Sequence, residues 1–141
     1  MRIHLMFSCF LGCILFSCSP SSLEDFRFEG ESVTREIIEE LEMIQTREDL
    51  VLHEQSLKKK FEKLVAIIIQ ARQYQIDYPE EALTHQLLQE SEISTNLMQE
   101  IQRVFQIEGG RESIERAQRE PMLRLDGFEK IRKKQKELRI K

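Results

Sequence analysis

The sequence has little of what many fold classes require. Its 141 residues include no tryptophan, three prolines, three cysteines and five glycines, and aromatic residues make up 7%. Collagen-like chains, Pro/Gly-rich disordered chains and all-β domains need far more turn-forming residues. No stretch matches a phosphate-binding loop, a dinucleotide fingerprint or a calcium loop. The remaining composition, 33% charged and 40% hydrophobic, favours a small all-α protein.

The N-terminal residues have the layout of an export signal. Arg2 is followed by an uncharged run over residues 5–16. This run of about a dozen residues is roughly half of what a bilayer crossing requires. The segment Leu15-Phe16-Ser17-Cys18, followed by Ser-Pro-Ser-Ser, resembles the lipobox of bacterial lipoproteins. A plain secretory peptide and an uncleaved apolar anchor are the alternatives.

The resemblance to lipoproteins implies a site of modification and a location. In that family the cysteine thiol receives a diacylglycerol, the preceding peptide is removed, and the new amino terminus usually gains a further acyl chain. Residues 1–17 would then be a signal peptide, and Cys18 would be the lipidated first residue of the mature chain. Two or three acyl chains hold a protein on a membrane stably. The expected location is the bacterial cell membrane or outer membrane, facing the periplasm or the exterior.

The cysteine positions also limit the chemistry of the mature chain. The three cysteines are Cys9, Cys13 and Cys18. With none beyond Cys18, disulfides, thiol catalysis and cysteine-ligated zinc are excluded for the folded part.

The segment after the lipobox predicts a flexible tether over residues 18–31, followed by a helical domain over residues 32–141. Ser-Pro-Ser-Ser is followed by mixed charges and two isolated phenylalanines without a sustained period. The alternative is an ordered first turn in which Phe26 and Phe28 enter the core.

Two helices are predicted in the first half of the domain. From Thr34 the apolar spacing is that of one helix face, and Thr46 with Asp49 forms a capping pattern at which a second helix, or at least a kink, begins. The second helix carries a coiled-coil-like seam that includes Leu57, Phe61, Leu64 and Ile68. Residues 64–69 are apolar on every side, so more than one neighbouring element is expected to cover them.

The second half predicts further helices with breaks between them. One has Pro79 in its first turn and ends at Gly109-Gly110. Pro121 ends or kinks the next, and a terminal helix begins near Asp126. The predicted fold is therefore all-α, an elongated helical hairpin or a three- to four-helix bundle with coiled-coil-like packing.

Charge is unevenly distributed along the chain. Residues 18–110 hold 9 Lys+Arg and 19 Asp+Glu, net −10, whereas residues 111–141 hold 11 and 6, net +5. Candidate residues for an electrostatic contact are Lys130, Arg132, Lys133, Lys134, Lys136 and Arg139. The alternatives are docking on the acidic body and a solvated helix face. Export and the acidic body argue against nucleic acid as a partner.

The sequence predicts no enzyme. His53 and His85 lie outside any recognisable catalytic or di-iron motif, and we expect both to be partly exposed helix residues. A solvated helix face is expected for the glutamates Glu36, Glu39, Glu40 and Glu42. We therefore predict no catalytic residues, no metal ligands and no cofactor.

The expected function is that of a non-catalytic helical interaction or scaffold module anchored in the cell envelope. The seam packs within the chain, or it binds a protein partner or a second copy by helix-in-groove recognition. One alternative is a structural spacer that links the membrane to another envelope layer. Another is an accessory subunit of an envelope enzyme or secretion complex.

Overall fold

The computed structural model describes residues 22–80 and 92–140, with side chains to residue 138. These ranges contain four helices, α1 (Leu23–Glu42), α2 (Arg47–Asp77), α3 (Glu92–Val104) and α4 (Gly110–Ile140), and no strand. Helix α2 packs against α1 and α4, and α3 packs against α1 and touches α4. The prediction of an all-α bundle is confirmed, and the described ranges contribute four helices to it.

Helix α1 begins within the segment predicted to be a tether. Ser22 caps the helix, its hydroxyl accepting a hydrogen bond from the Asp25 backbone N–H at 3.2 Å. Phe26 is 7% exposed and its ring lies 5.8 Å from that of Tyr74 on α2, whereas Phe28 is exposed. The tether prediction is therefore wrong for residues 23–31, and residues 18–21 lie outside the described residues.

The buried face of α1 is longer than the apolar residues alone suggest because a glycine lies on it. A Cβ added to Gly30 would lie 3.9 Å from Ile67 of α2, at ordinary contact distance. The buried apolar residues of α1 are Leu23, Phe26, Val33, Ile37 and Leu41, and two polar residues, Thr34 and Glu40, are buried with them. Gly30 interrupts the apolar pattern but not the helix packing.

The turn between α1 and α2 follows the predicted capping pattern. The Thr46 hydroxyl accepts from the Asp49 backbone N–H at 3.3 Å, and the Asp49 carboxylate accepts from the backbone N–H of Thr46 at 2.9 Å. The pKa of the Asp49 carboxyl is lowered chiefly by the hydrogen bond from the Gln45 backbone N–H, and further by hydrogen bonds with the side chain and backbone of Thr46. The predicted start of the second helix is thus confirmed.

Helix α2 is the central element of the bundle. Its buried side chains are Leu50, Leu57, Phe61, Val65 and Ile67. Both α1 and α4 pack on it. Within the apolar run at residues 64–69, Val65 and Ile67 are buried and the other four side chains are half-buried.

Contacts between side chains establish the directions of the helices. Glu40 of α1 bonds Ser56 of α2 and Phe26 contacts Tyr74, so α1 and α2 are antiparallel. Glu54 bonds Arg116 and Arg72 pairs with Glu129, so α2 and α4 are parallel. We call the end of the bundle where α1 begins and α2 ends the lower end, and the opposite end the upper end.

The turn from α3 to α4 differs from the prediction. Helix α3 ends at Val104, residues 105–109 form the turn, and Gly110 is the first residue of α4 rather than part of a helix terminator. Gly109 has a φ of 79°, in the left-handed region that glycine adopts without strain. The Gly110 N–H donates to the Ile107 carbonyl at 2.9 Å, which closes the turn.

Helix α4 continues through Pro121 and Gly127, so the prediction of a helix end at Pro121 and that of a fresh start near Asp126 are both wrong. Proline removes one helical N–H, here the donor to the Ala117 carbonyl. The helix is held on α2 from both sides of the proline, by the pairs Lys58–Glu120 and Arg72–Glu129. Tertiary packing therefore outweighs the local signal for a break.

Arg103 links α3 to the last turn of α1. Its guanidinium donates to the carbonyl oxygens of Leu41 at 2.6 Å and Ile44 at 2.8 Å. Ile44 lies two residues beyond the end of α1, and the Leu41 carbonyl also accepts from the Ile44 backbone N–H at 3.0 Å. The guanidinium therefore gives both carbonyls a charged donor at the C-terminus of α1, where helical donors run out. The planar fork of arginine reaches both oxygens at once, which the single ammonium of lysine does less well.

We expect Arg103→Lys to lower the free energy of unfolding by about 1 kcal/mol, because one carbonyl loses its charged donor. Urea unfolding followed by circular dichroism measures this effect. The exposed neighbour Gln102 provides the control, since Gln102→Ala removes no described contact. Equal stability of Arg103→Lys and the unaltered protein would show that the second of the two charged hydrogen bonds contributes nothing to the α1–α3 contact.

Candidate functional site

The densest group of polar side chains lies between α1 and α2, around Glu40. We call Glu40, His53, Ser56 and Lys60 the Glu40 cluster. Glu40 is 6% exposed; its Oε1 lies 2.6 Å from His53 Nδ1, and its Oε2 accepts from Ser56 Oγ at 2.9 Å. The Lys60 ammonium pairs with the same Oε2 and donates to the Glu36 carbonyl at 3.1 Å.

Electrostatics keep the Glu40 carboxyl ionised. Burial alone would raise its pKa, but hydrogen bonds from Lys60, His53 and Ser56 outweigh burial and lower the pKa to about 2. An ionised carboxylate only accepts, so His53 donates from Nδ1. All three neighbours therefore donate to one buried anion.

This geometry differs from that of a catalytic triad. A triad places the histidine between the nucleophile and the carboxylate, so that the imidazole removes the hydroxyl proton. Here the carboxylate lies between His53 and Ser56, and the Ser56 hydroxyl donates to it. The cluster is suited to joining α1 to α2 rather than to activating a nucleophile.

The sequence predicts that four glutamates of α1 lie on a solvated face, namely Glu36, Glu39, Glu40 and Glu42. This prediction is wrong for Glu40. Glu36 is half-buried, and Glu39 and Glu42 are exposed. Glu40 lies three residues after Ile37 and four before Ile44, so it shares their buried face. This spacing is present in the sequence and is sufficient to place Glu40 on the buried face of α1.

A second set of polar contacts joins α2 to α4. The Glu54 carboxylate accepts from Ser113 Oγ at 2.8 Å and from Arg116 Nε at 3.0 Å. The Arg116 hydrogen bond is the main cause that lowers the pKa of Glu54. Lower on the same interface, Lys58 pairs with Glu120, which raises the pKa of Lys58. These contacts align the two helices.

A cavity of about 590 Å³ lies between α1 and α3. Among the described residues that line it, Arg35 alone is cationic, and its guanidinium Nη2 lies 3.7 Å from Glu31 Oε2. The other lining residues are Ile38, Glu39, Glu42, Glu92, Ile93 and Asn96. Nowhere in residues 22–80 and 92–140 do histidine, cysteine and carboxylate side chains form a group able to hold a metal ion.

The candidate seam residues lie on α2 at two levels of burial. Leu57 and Phe61 are buried in the core of the chain itself, whereas Leu64 and Ile68 are half-buried. The first two are therefore already covered by the chain's own helices. Only Leu64 and Ile68 keep surface for a partner helix.

The candidate basic residues lie on the last three turns of α4. All described side chains from 130 to 138 are exposed, including Lys130, Lys133, Lys134 and Lys136. Arg132 pairs with Glu129 of its own helix at 2.8 Å. The side chain of Arg139 lies outside the described residues.

Two other predicted positions also lie outside the described residues, namely Cys18 and His85. His53 is partly exposed, as predicted, with 23% of its side chain accessible. Within the described ranges, every helix is too short or too polar to cross a membrane.

Comparison of the chain with protein families, with curated proteins and with solved structures finds no match.

Proposed function

We propose that this chain is a lipid-anchored bacterial cell-envelope protein whose helical bundle acts as a non-catalytic interaction or scaffold module. The observation that carries the proposal is the segment Leu15-Phe16-Ser17-Cys18 behind a short apolar run. A run of this length suits a cleaved leader better than a permanent span. The mature chain would then begin at the acylated Cys18.

The position of the first helix supports this arrangement. Only four residues separate Cys18 from Leu23, where α1 begins. Even fully extended, five Cα steps span at most about 18 Å. An anchor at Cys18 would therefore hold the lower end of the bundle close to the bilayer.

A scaffold role is supported by the polar side chains of the bundle, which bond to one another between helices. The Glu40 cluster and the Glu54 contacts each join two helices. Among the described residues, no buried side-chain polar atom is left without a hydrogen-bond partner. Catalytic sites tend to hold polar groups in reserve for a substrate, and these groups are engaged with one another.

We expect intact-mass analysis of the membrane-extracted protein to find a chain that begins at Cys18 and carries acyl chains. In Cys18→Ser this mass increment should be absent, because serine has no thiol to acylate. Cys13→Ser is the matched control, since it removes a leader cysteine that the proposal leaves unmodified. A wild-type chain that retains Met1 without added mass would refute the anchor.

A further inference from the structure

The parallel arrangement of α2 and α4 places the basic end of α4 at the lower end of the bundle. Glu129 of α4 pairs with Arg72 of α2, and Phe26 of α1 contacts Tyr74, two residues further along α2. Residues beyond Glu129 therefore extend alongside and past the start of α1. This is the end from which the chain leads back to Cys18.

The charge of this terminal segment is strongly one-sided. Residues 130–141 contain seven Lys or Arg and one Glu, net +6. We call Lys130, Arg132, Lys133, Lys134 and Lys136 the basic segment. Of these five side chains, only Arg132 forms an ion pair with a described residue.

Charged side chains in the upper half of α4, unlike those of the basic segment, form ion pairs with α2. Arg116 pairs with Glu54 at 2.5 Å, and Glu120 pairs with Lys58, both across the interface with α2. The basic segment thus begins where charge pairing between these helices ends. Docking on the acidic body, one of the alternatives above, would require such pairs.

Exposed apolar side chains accompany the basic segment. Ile131 and Leu138 are 61% and 67% exposed, and their spacing of seven residues places them on one face of α4. Exposed aromatic side chains, Phe28 and Tyr78, lie near the same end on α1 and α2. Apolar and cationic side chains together are typical of surfaces that lie on a membrane interface.

We infer that the basic segment binds anionic phospholipid headgroups of the bilayer that holds the N-terminal anchor. The inference rests on the proposed function for the anchor, which brings this end of the bundle within about 18 Å of the membrane. Electrostatic attraction acts over a Debye length of about 10 Å at 0.1 M salt. The distance of about 18 Å is the upper limit for the start of α1, and the basic segment extends past that point on the anchored side, which brings its ammonium groups closer to the headgroups. Anchor and basic segment together orient the bundle with its upper end away from the bilayer.

The test uses the full chain with Cys18→Ser, which carries no acyl group, and vesicles of phosphatidylcholine with or without phosphatidylglycerol. We expect tighter binding to the vesicles that contain phosphatidylglycerol, and weakening of this preference with salt. Replacing Lys133, Lys134 and Lys136 with glutamine should weaken binding to them about 100-fold, given the attraction of each basic residue near an anionic surface. The apolar leader is the same in all variants, so its own contribution to vesicle binding is the same in each.

A charge-matched control replaces Lys59, Arg119 and Arg124 with glutamine. These exposed residues lie above the basic segment along the bundle, so the preference for phosphatidylglycerol should persist. Amine labelling gives a second readout, in which phosphatidylglycerol protects Lys133, Lys134 and Lys136 but not Lys59. Equal binding to both vesicle types, or equal loss in both triple variants, would overturn the inference.

The two proposals fail separately. The vesicle experiment contains no acylated protein, so it reports only on the basic segment. The mass of the wild-type chain reports only on Cys18. An acylated chain without lipid preference would leave the anchor in place and refute the role of the basic segment.

Discussion

We expect Gly110→Ala, which adds one methyl group, to lower the free energy of unfolding by about 3 kcal/mol or more. This is a large effect for a single added methyl group. An added Cβ would overlap the backbone carbonyl oxygen of Val104 and lie 2.9 Å from its carbonyl carbon. A flexible side chain could move aside, but a carbonyl at the end of α3 cannot do so without distorting the turn. Thermal unfolding should detect a fall in Tm of about 10 °C.

Two other glycines serve as controls for this prediction. Gly109→Ala meets no atom within 4 Å but must adopt a φ of 79°, so we expect a loss of about 1 kcal/mol. Gly127→Ala lies within α4 with open space around it and should stabilise the helix by about 0.5–1 kcal/mol. If Gly110→Ala matched Gly127→Ala, the close approach of α4 to the end of α3 would be refuted.

Local sequence signals predict α2 well because they agree with its tertiary environment. The Thr46 cap and the apolar residues at Leu57 and Phe61 identify both the start of the helix and its buried side. The chain also reads as all-α from composition alone, since few residues in it terminate helices. Agreement between local and global preferences is what makes such an element predictable.

The predictions fail where a distant contact outweighs a local signal. Pro121 predicts a break, yet ion pairs to α2 on both sides of it keep α4 continuous. Phe26 follows Leu23 at helical spacing, but Gly30 occupies the next position on the buried face and interrupts the apolar pattern. The residues of α2 that pair with α4 and those that pack against Phe26 cannot be identified without knowing the fold.

The candidate site is less predictable than the fold for a similar reason. The charge of the basic segment can be read from the sequence, but its placement at the lower end follows from the parallel packing of α2 and α4. Likewise, Glu40 resembles its solvated neighbours until His53, Ser56 and Lys60 are seen to face it. Residue spacing places Glu40 on a face, and only the fold supplies its partners.

Lys60→Met is expected to lower the free energy of unfolding at neutral pH by about 2–3 kcal/mol, because it leaves the buried Glu40 carboxylate without its cationic partner. The length and apolar stem of methionine retain the packing of the lysine chain. Urea unfolding at pH 7 measures the loss. Lys59→Met is the matched control, since Lys59 is exposed and its replacement should change stability by less than about 0.5 kcal/mol.

The pH dependence of stability identifies the cause of that loss. Glu40 has a pKa of about 2 in the folded chain and an ordinary value of 4.5. Its stabilising contribution, roughly 3 kcal/mol by linkage, is therefore complete above pH 4.5 and is lost as the pH falls towards 2. In Lys60→Met the pKa of Glu40 should rise, since burial is less fully offset, and acid unfolding should begin at higher pH.

A double variant separates the buried charge from the lost packing of Lys60. Glu40→Gln combined with Lys60→Met leaves no buried carboxylate to be desolvated, and the amide still accepts from Ser56 or His53. We therefore expect the double variant to recover at least part of the stability lost in Lys60→Met and to lose the acid-dependent step between pH 4.5 and 2 that Glu40 contributes. A double variant less stable than Lys60→Met would mean that Glu40 stabilises the α1–α2 interface even without the lysine, and that charge compensation is not what holds the cluster together.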